Sequence, residues 1–162
     1  MLAVLAVLTV SLLHAVAEGP VKLAITNSTD AKIAFQQIAS SIDSPQNFEL
    51  QFLSRHLQLD EPHLNLTGAN SIALIGNGTI LDGARAIYLQ AYDSVTINGI
   101  HFGNVSLEVS TRNATMVNST AHSIYRNTIA ASIVDLRGCN LTTEQGNCYS
   151  MPSARERFTL FL

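Results

Sequence analysis

The side chains able to do chemistry in this chain are few and scattered. Asp82, Asp93, Glu108 and Asp135 stand singly, far from one another along the sequence. Hydrolytic cleavage of a sugar bond needs two carboxyl groups facing it, one giving a proton while the other acts as base, and a hard cation needs several oxygen ligands at once. Single acids supply neither. His56 and His63 bracket Asp60 and Glu61, a cluster that a surface loop accounts for, and His101 and His122 show no ligand spacing near the cysteines. Two thiolates alone do not complete a tetrahedral zinc site. Neither metal nor cofactor is expected. Cys139 and Cys148 lie close together near the end. In an oxidising compartment they would close a small loop worth roughly 2 to 3 kcal/mol; the alternative is two unpaired thiols, one of them in the core.

The chain has 162 residues, one domain's worth, with 47% hydrophobic and 13% charged residues and a net charge of −3. Its nine Lys and Arg are scattered singly and give no basic face, which argues against nucleic acid as a partner. Residues 1–17, MLAVLAVLTVSLLHAVA, are apolar and end in the small-x-small pattern Ala15-Val16-Ala17, as a signal peptide does. A membrane-spanning helix is the competing reading. Seventeen residues at about 1.5 Å each give roughly 25 Å, short of the ~30 Å hydrocarbon core, and no basic flank anchors them. Nothing later in the chain is apolar enough to span a membrane, so none would remain after cleavage. Asn-x-Ser/Thr acceptor sites occur at Asn27, Asn65, Asn77, Asn104, Asn113, Asn118 and Asn140, seven of the twelve asparagines. They agree with a secreted or extracellular location, although Asn and Thr are also common in β-rich turns.

The elements divide into a short lead-in and a repetitive body. Residues 18–47 hold a strand, VKLAI, and then a helix with Ala31, Ala34, Phe35, Ile38 and Ile42 on one face. Ser28, Thr29 and Asp30 are placed to cap it. Over residues 48–142 the apolar period becomes two, in strands of three to five residues separated by Gly, Asn, Asp or Pro. The body is therefore all β. VTINGIHF at 95–102 aligns with VDLRGCNL at 134–141, ATMVNSTA at 114–121 falls between them without gaps, and Ile72-Ala-Leu74 precedes them with its bend lengthened by one residue. The steps are 23, 19 and 20 residues, a solenoid period. The bend position holds Gly99, Asn118 and Gly138, residue types that enter left-handed backbone cheaply. Each strand would pair in parallel with its copy one coil away, at about 4.8 Å. A third run, Ile87 and Leu89, then Leu107 and Val109, then Ile124, supplies the remaining side.

IGNGTILDG at 75–83, followed by SVTINGIHF at 94–102, resembles the early coils of the pectate-lyase-like superfamily, with its GxGTIxDG turn and NVTIxGIxF strand pair. The resemblance covers about residues 48–142. It implies a right-handed parallel β-helix of about four coils, with the preceding helix as its N-terminal cap. A leucine-rich repeat solenoid is the alternative, because VDLRGCNL also fits LxLxxCxL, but Ile100 and Ser119 stand where that repeat has Asn or Cys. Enzymes of the superfamily cleave acidic polysaccharides, either with calcium held by clustered carboxylates and an arginine base, or by hydrolysis with Asn-x-Asp, Asp-Asp, Gly-His-Gly and Arg-x-Lys motifs. None of those four motifs occurs in this sequence. The resemblance therefore carries architecture and leaves the catalytic residues unassigned.

The coil register places Tyr88, Glu108 and Tyr125 outward on successive copies of one strand, with Arg112 and Arg126 nearby. Sugars stack their apolar faces on aromatic rings and hydrogen-bond to polar neighbours, which makes this stripe the candidate ligand site. Tyr and charged residues are also ordinary on a solvent-facing strand. Two functions remain open: a secreted, non-catalytic β-helix domain binding a polysaccharide, a cell-surface glycan or another surface partner, and a polysaccharide lyase or hydrolase without its catalytic coils. Residues 143–162 carry no coil pattern and form an irregular tail, with Phe158, Leu160, Phe161 and Leu162 available as a lid. Such an ending fits the N-terminal part of a longer protein. In a eukaryotic secretory host the product is expected to begin at Glu18 and to lose mass on enzymatic deglycosylation, which N-terminal sequencing and mass spectrometry check. Retention of Met1 with no mass change would remove the case for secretion.

Overall fold

A computed structural model describes residues 19–123, 127–143, 148–149, 155–156 and 159–161. The expected leader at 1–17, Glu18, Ile124, Tyr125 and Arg126 lie outside them. The described residues form a parallel β-solenoid of about four turns with one helix. In order the elements are β1 (Val21–Ile25), α1 (Ser28–Ala39), β2 (Asn47–Phe52), β3 (His56–Gln58), β4 (His63–Asp82), β5 (Ala86–Phe102), β6 (Ser106–Val117), β7 (Thr120–Ser123), β8 (Thr128–Arg137), β9 (Asn140–Thr143), β10 (Cys148–Tyr149), β11 (Arg155–Glu156) and β12 (Thr159–Phe161).

Alternation builds three faces around one core. On the first face Phe48, Ile72, Val95, Ala114 and Val134 pair in a column, and Leu50, Leu74, Ile97, Met116 and Leu136 form another beside it. Leu57, Leu81, Phe102, Ala121 and Leu141 stack on the second face, and Leu66, Leu89, Val109 and Ile129 on the third. All of these side chains are buried. Each of the larger ones removed from water contributes roughly 1.5 to 3 kcal/mol, so the columns carry most of the stability. The segments between copies of the first-face strand are themselves paired strands on two further faces, which excludes the leucine-rich repeat.

The expected register is observed: Ile72 pairs with Val95, Val95 with Ala114 and Ala114 with Val134. Two details differ. The bend of the earliest of these coils is longer by two residues, not one, because Gly76, Asn77 and Gly78 lie between Ile75 and Thr79, where Gly99 alone lies between Asn98 and Ile100. The strands are also far longer than three to five residues, up to 20 in β4, because the backbone stays paired to the next coil around most corners. At the shared corner Gly99, Asn118 and Gly138 have φ of 66°, 47° and 61°. Gly99 is the most constrained: a Cβ there would sit 2.4 Å from the Gly76 carbonyl oxygen.

The helix is capped by Asn27 instead of Ser28 or Thr29. Its Oδ1 accepts from the Asp30 amide at 2.9 Å, while the Asp30 carboxylate accepts from the Thr26 amide and hydroxyl. Those bonds, the Thr26 hydroxyl first, hold the exposed Asp30 carboxyl below its usual range. Ala31, Ala34 and Ile38 are buried as expected. Ile42 is not: the helix ends at Ala39, and Ile42 is 56% exposed. Ala31 and Phe35 line a small cavity with Leu59 and Leu64, so the helix lies against the first coil's apolar interior. At the other end the tail is less irregular than its sequence. β11 and β12 pair antiparallel with β8, and β10 pairs antiparallel with β9, using backbone edges that would otherwise stay open. Phe158 and Leu162 lie outside the described residues.

Cys139 is a buried free thiol whose Sγ donates to the Met116 carbonyl at 3.1 Å. Burial pushes its pKa up. With the Cys139 thiol free, the expected bridge to Cys148 is not formed; the side chain of Cys148 itself lies outside the described residues. Gly99→Val is expected to destabilise by more than about 1 kcal/mol through left-handed strain and the Gly76 clash. The outward Thr96→Val should stay within about 0.5 kcal/mol of the parent. Urea denaturation of both variants checks the contrast, and equal tolerance would contradict the register.

Candidate functional site

The third face carries the candidate site. In β5 the side chains of Ile87 and Leu89 point inward, which turns Tyr88 and Gln90 outward; in β6 Leu107 and Val109 do the same for Glu108 and Ser110. Parallel pairing then sets Asn65, Tyr88, Glu108 and Thr128 in one outward column and Gln90, Ser110 and Ala130 in the next. Between and beside them runs a hollow of about 330 Å³. Thr67, Gln90 and Ser110 also line a second hollow of about 360 Å³, bounded by Ile42, Tyr92 and Thr111. Together they form one open trough across the coils.

Of the residues singled out in the sequence, Tyr88 and Glu108 are brought side by side in this trough. Tyr125 and Arg126 lie outside the described residues, and the position next to Glu108 in the column belongs to Thr128, not Tyr125. The shift has a physical cause. The simple alternation placed Ile124 inward beside Leu107, but Asn127 takes that role. Its Oδ1 accepts from the Leu107 amide at 3.0 Å, and its Nδ2 donates to the Ala121 and Thr142 carbonyls at 3.3 and 3.2 Å. A fully hydrogen-bonded amide can occupy an interior position that a polarity pattern assigns to an apolar side chain. Arg112 is exposed, stands 4.0 Å from Asp93, and does not line the trough.

Tyr92, Gln90, Ser110 and Thr67 were not singled out in the sequence. Tyr92 is 61% exposed at the corner after the third face, and its signal was an aromatic residue directly before the Asp93 turn. Among the described residues lining the trough, Glu108 carries the one formal charge. Thr111 and Thr128, one in each hollow, have buried hydroxyls without a hydrogen-bond partner.

The remaining candidates are dispersed. Asp82 is on the second face, Asp135 on the first beside Arg137 at 3.0 Å, Asp93 at a corner, and Glu108 on the third. No two of these four face a common point. His56, His101 and His122 fall on the second face: His56 Nε2 meets Asp82 Oδ2 at 2.8 Å, while His101 and His122 bond the Thr120 and Thr142 hydroxyls. His63 begins the third face, and Glu61 pairs with Lys32 at 3.2 Å. Among the described residues no group of three His, Cys, Asp or Glu side chains converges to hold a metal ion. Of the acceptor asparagines, Asn27, Asn65, Asn77, Asn104, Asn118 and Asn140 are exposed, whereas Asn113 is half-buried and donates to the Asp93 carbonyl.

No protein-family profile matches the chain, and no curated protein or solved structure matches it significantly. No described helix is long and apolar enough to cross a membrane. The site therefore has to be read from its own geometry. Asn127→Leu would take the partner from the buried Leu107 amide, at about 1 to 3 kcal/mol, and would remove the bonds to the Ala121 and Thr142 carbonyls. A loss of at least about 2 kcal/mol in urea denaturation is expected, and an unchanged midpoint would contradict the interior placement of Asn127.

Proposed function

We propose that this chain is a secreted or cell-surface β-helix domain, of the pectate-lyase-like kind, that binds a glycan along its third face without cleaving it. The observation that carries the reading is the Tyr88 ring set beside the Glu108 carboxylate inside a trough that mixes the amides and hydroxyls of Asn65, Gln90, Ser110 and Thr128 with apolar Leu89, Val109 and Ala130. A sugar presents an apolar face and a rim of hydroxyls, and that combination of ring and polar acceptors suits it. The dispersal of Asp82, Asp93, Glu108 and Asp135 supports binding over catalysis, because cleavage requires two carboxyl groups, or a carboxylate-bound cation, at one bond. The exposed acceptor asparagines and the apolar leader support an extracellular setting.

The trough is shallow and open, so affinity should be modest. Tyr88→Ala is expected to weaken glycan binding by about fivefold to tenfold, the loss of one stacked ring, with thermal stability near that of the parent. The purified chain should not depolymerise polygalacturonate with or without calcium, as followed by reducing-end release and by absorbance of unsaturated products. Cleavage abolished by Asp82→Ala or Glu108→Ala would replace the binding reading with an enzymatic one.

A further inference from the structure

We infer that the glycan accepted by the third-face trough is an uncharged linear oligosaccharide, and that Glu108 excludes acidic ones. The inference rests on the glycan-binding reading above and adds the class of sugar. The coils repeat at about 4.8 Å, close to the length of one hexose unit, so a sugar chain laid along the solenoid axis advances about one unit per coil. Asn65, Tyr88, Glu108 and Thr128 then each address one unit. A polyuronate carries a carboxylate on every unit. Successive units turn about the chain axis, but with a carboxylate on each one a negative charge lies within about one coil spacing of Glu108 in any register, inside the distance over which charges interact at low salt. Among the described residues no Lys or Arg lines the trough to offset that repulsion, and Arg112, exposed at the edge, already faces Asp93. An uncharged chain meets no such penalty, and its hydroxyls donate to Glu108 as charge-assisted hydrogen bonds, stronger than those to a neutral acceptor. Asn65, Gln90 and Ser110 supply further donors and acceptors suited to hydroxyls.

The test is a binding panel on the full chain at low ionic strength. Uncharged tetrasaccharides of gluco, galacto and manno configuration are compared with the glucuronate, galacturonate and mannuronate tetramers of matching configuration and linkage. At least one uncharged member is expected to bind, with its uronate counterpart at least about tenfold weaker. Added salt should narrow the gap, since like charges near a surface are screened. Glu108→Gln should narrow it too, while Tyr88→Ala weakens the uncharged ligand. A uronate binding as tightly as its uncharged counterpart, or a gap unaffected by Glu108→Gln, would overturn the exclusion of acidic sugars and leave glycan binding standing. Absence of binding to every member would overturn both.

Discussion

Every feature of this molecule follows from the backbone hydrogen bonds that tie each coil to the next. Parallel pairing at a spacing of about 4.8 Å leaves no freedom of placement along the axis: equivalent positions must stack. A column is therefore either buried and mainly apolar, as from Phe48 to Val134, or open to solvent and chemically mixed, as from Asn65 to Thr128. The corners obey the same rule. Gly99 approaches Gly76 on the neighbouring coil so closely that a side chain there would displace the backbone that sets the coil spacing.

A stack of this kind has two ends, and each exposes core and unpaired strand. At the N-terminal end α1 lies against the first coil, held at its start by the reciprocal bonds of Asn27, Asp30 and Thr26. At the other end β11 and β12 run back along β8 in the opposite direction. The interior is not wholly apolar between these ends. Asn127 bridges β6, β7 and β9 through three backbone bonds. An amide so fully engaged specifies a register, because no shifted pairing would satisfy it equally well.

The same stacking that builds the core disperses the acids and gathers the site. Asp82, Glu108 and Asp135 are assigned to different faces by their place in the coil. Tyr88 and Glu108, 20 positions apart in sequence, become direct neighbours because they hold the same place in successive coils. An outward column on one face is a natural track for a polymer whose own repeat is close to the coil spacing.

The sequence by itself determined the solenoid, its coil steps, the left-handed corner at Gly99, Asn118 and Gly138, and the juxtaposition of Tyr88 with Glu108. Each depends on local alternation or on one residue's backbone preference, and both are written in residue order. The tertiary structure alone decided that Asn127 faces inward and that Thr128 follows Glu108 in the column. It also decided that the cap is Asn27, that Ile42 is exposed, and that the tail pairs with the last coil. Those outcomes turn on which backbone groups in neighbouring coils lack a partner. An asparagine counted as polar in a pattern becomes an interior residue only when the Leu107 amide and the Ala121 and Thr142 carbonyls converge on it. Such convergence is a property of the stacked coils and not of any one segment.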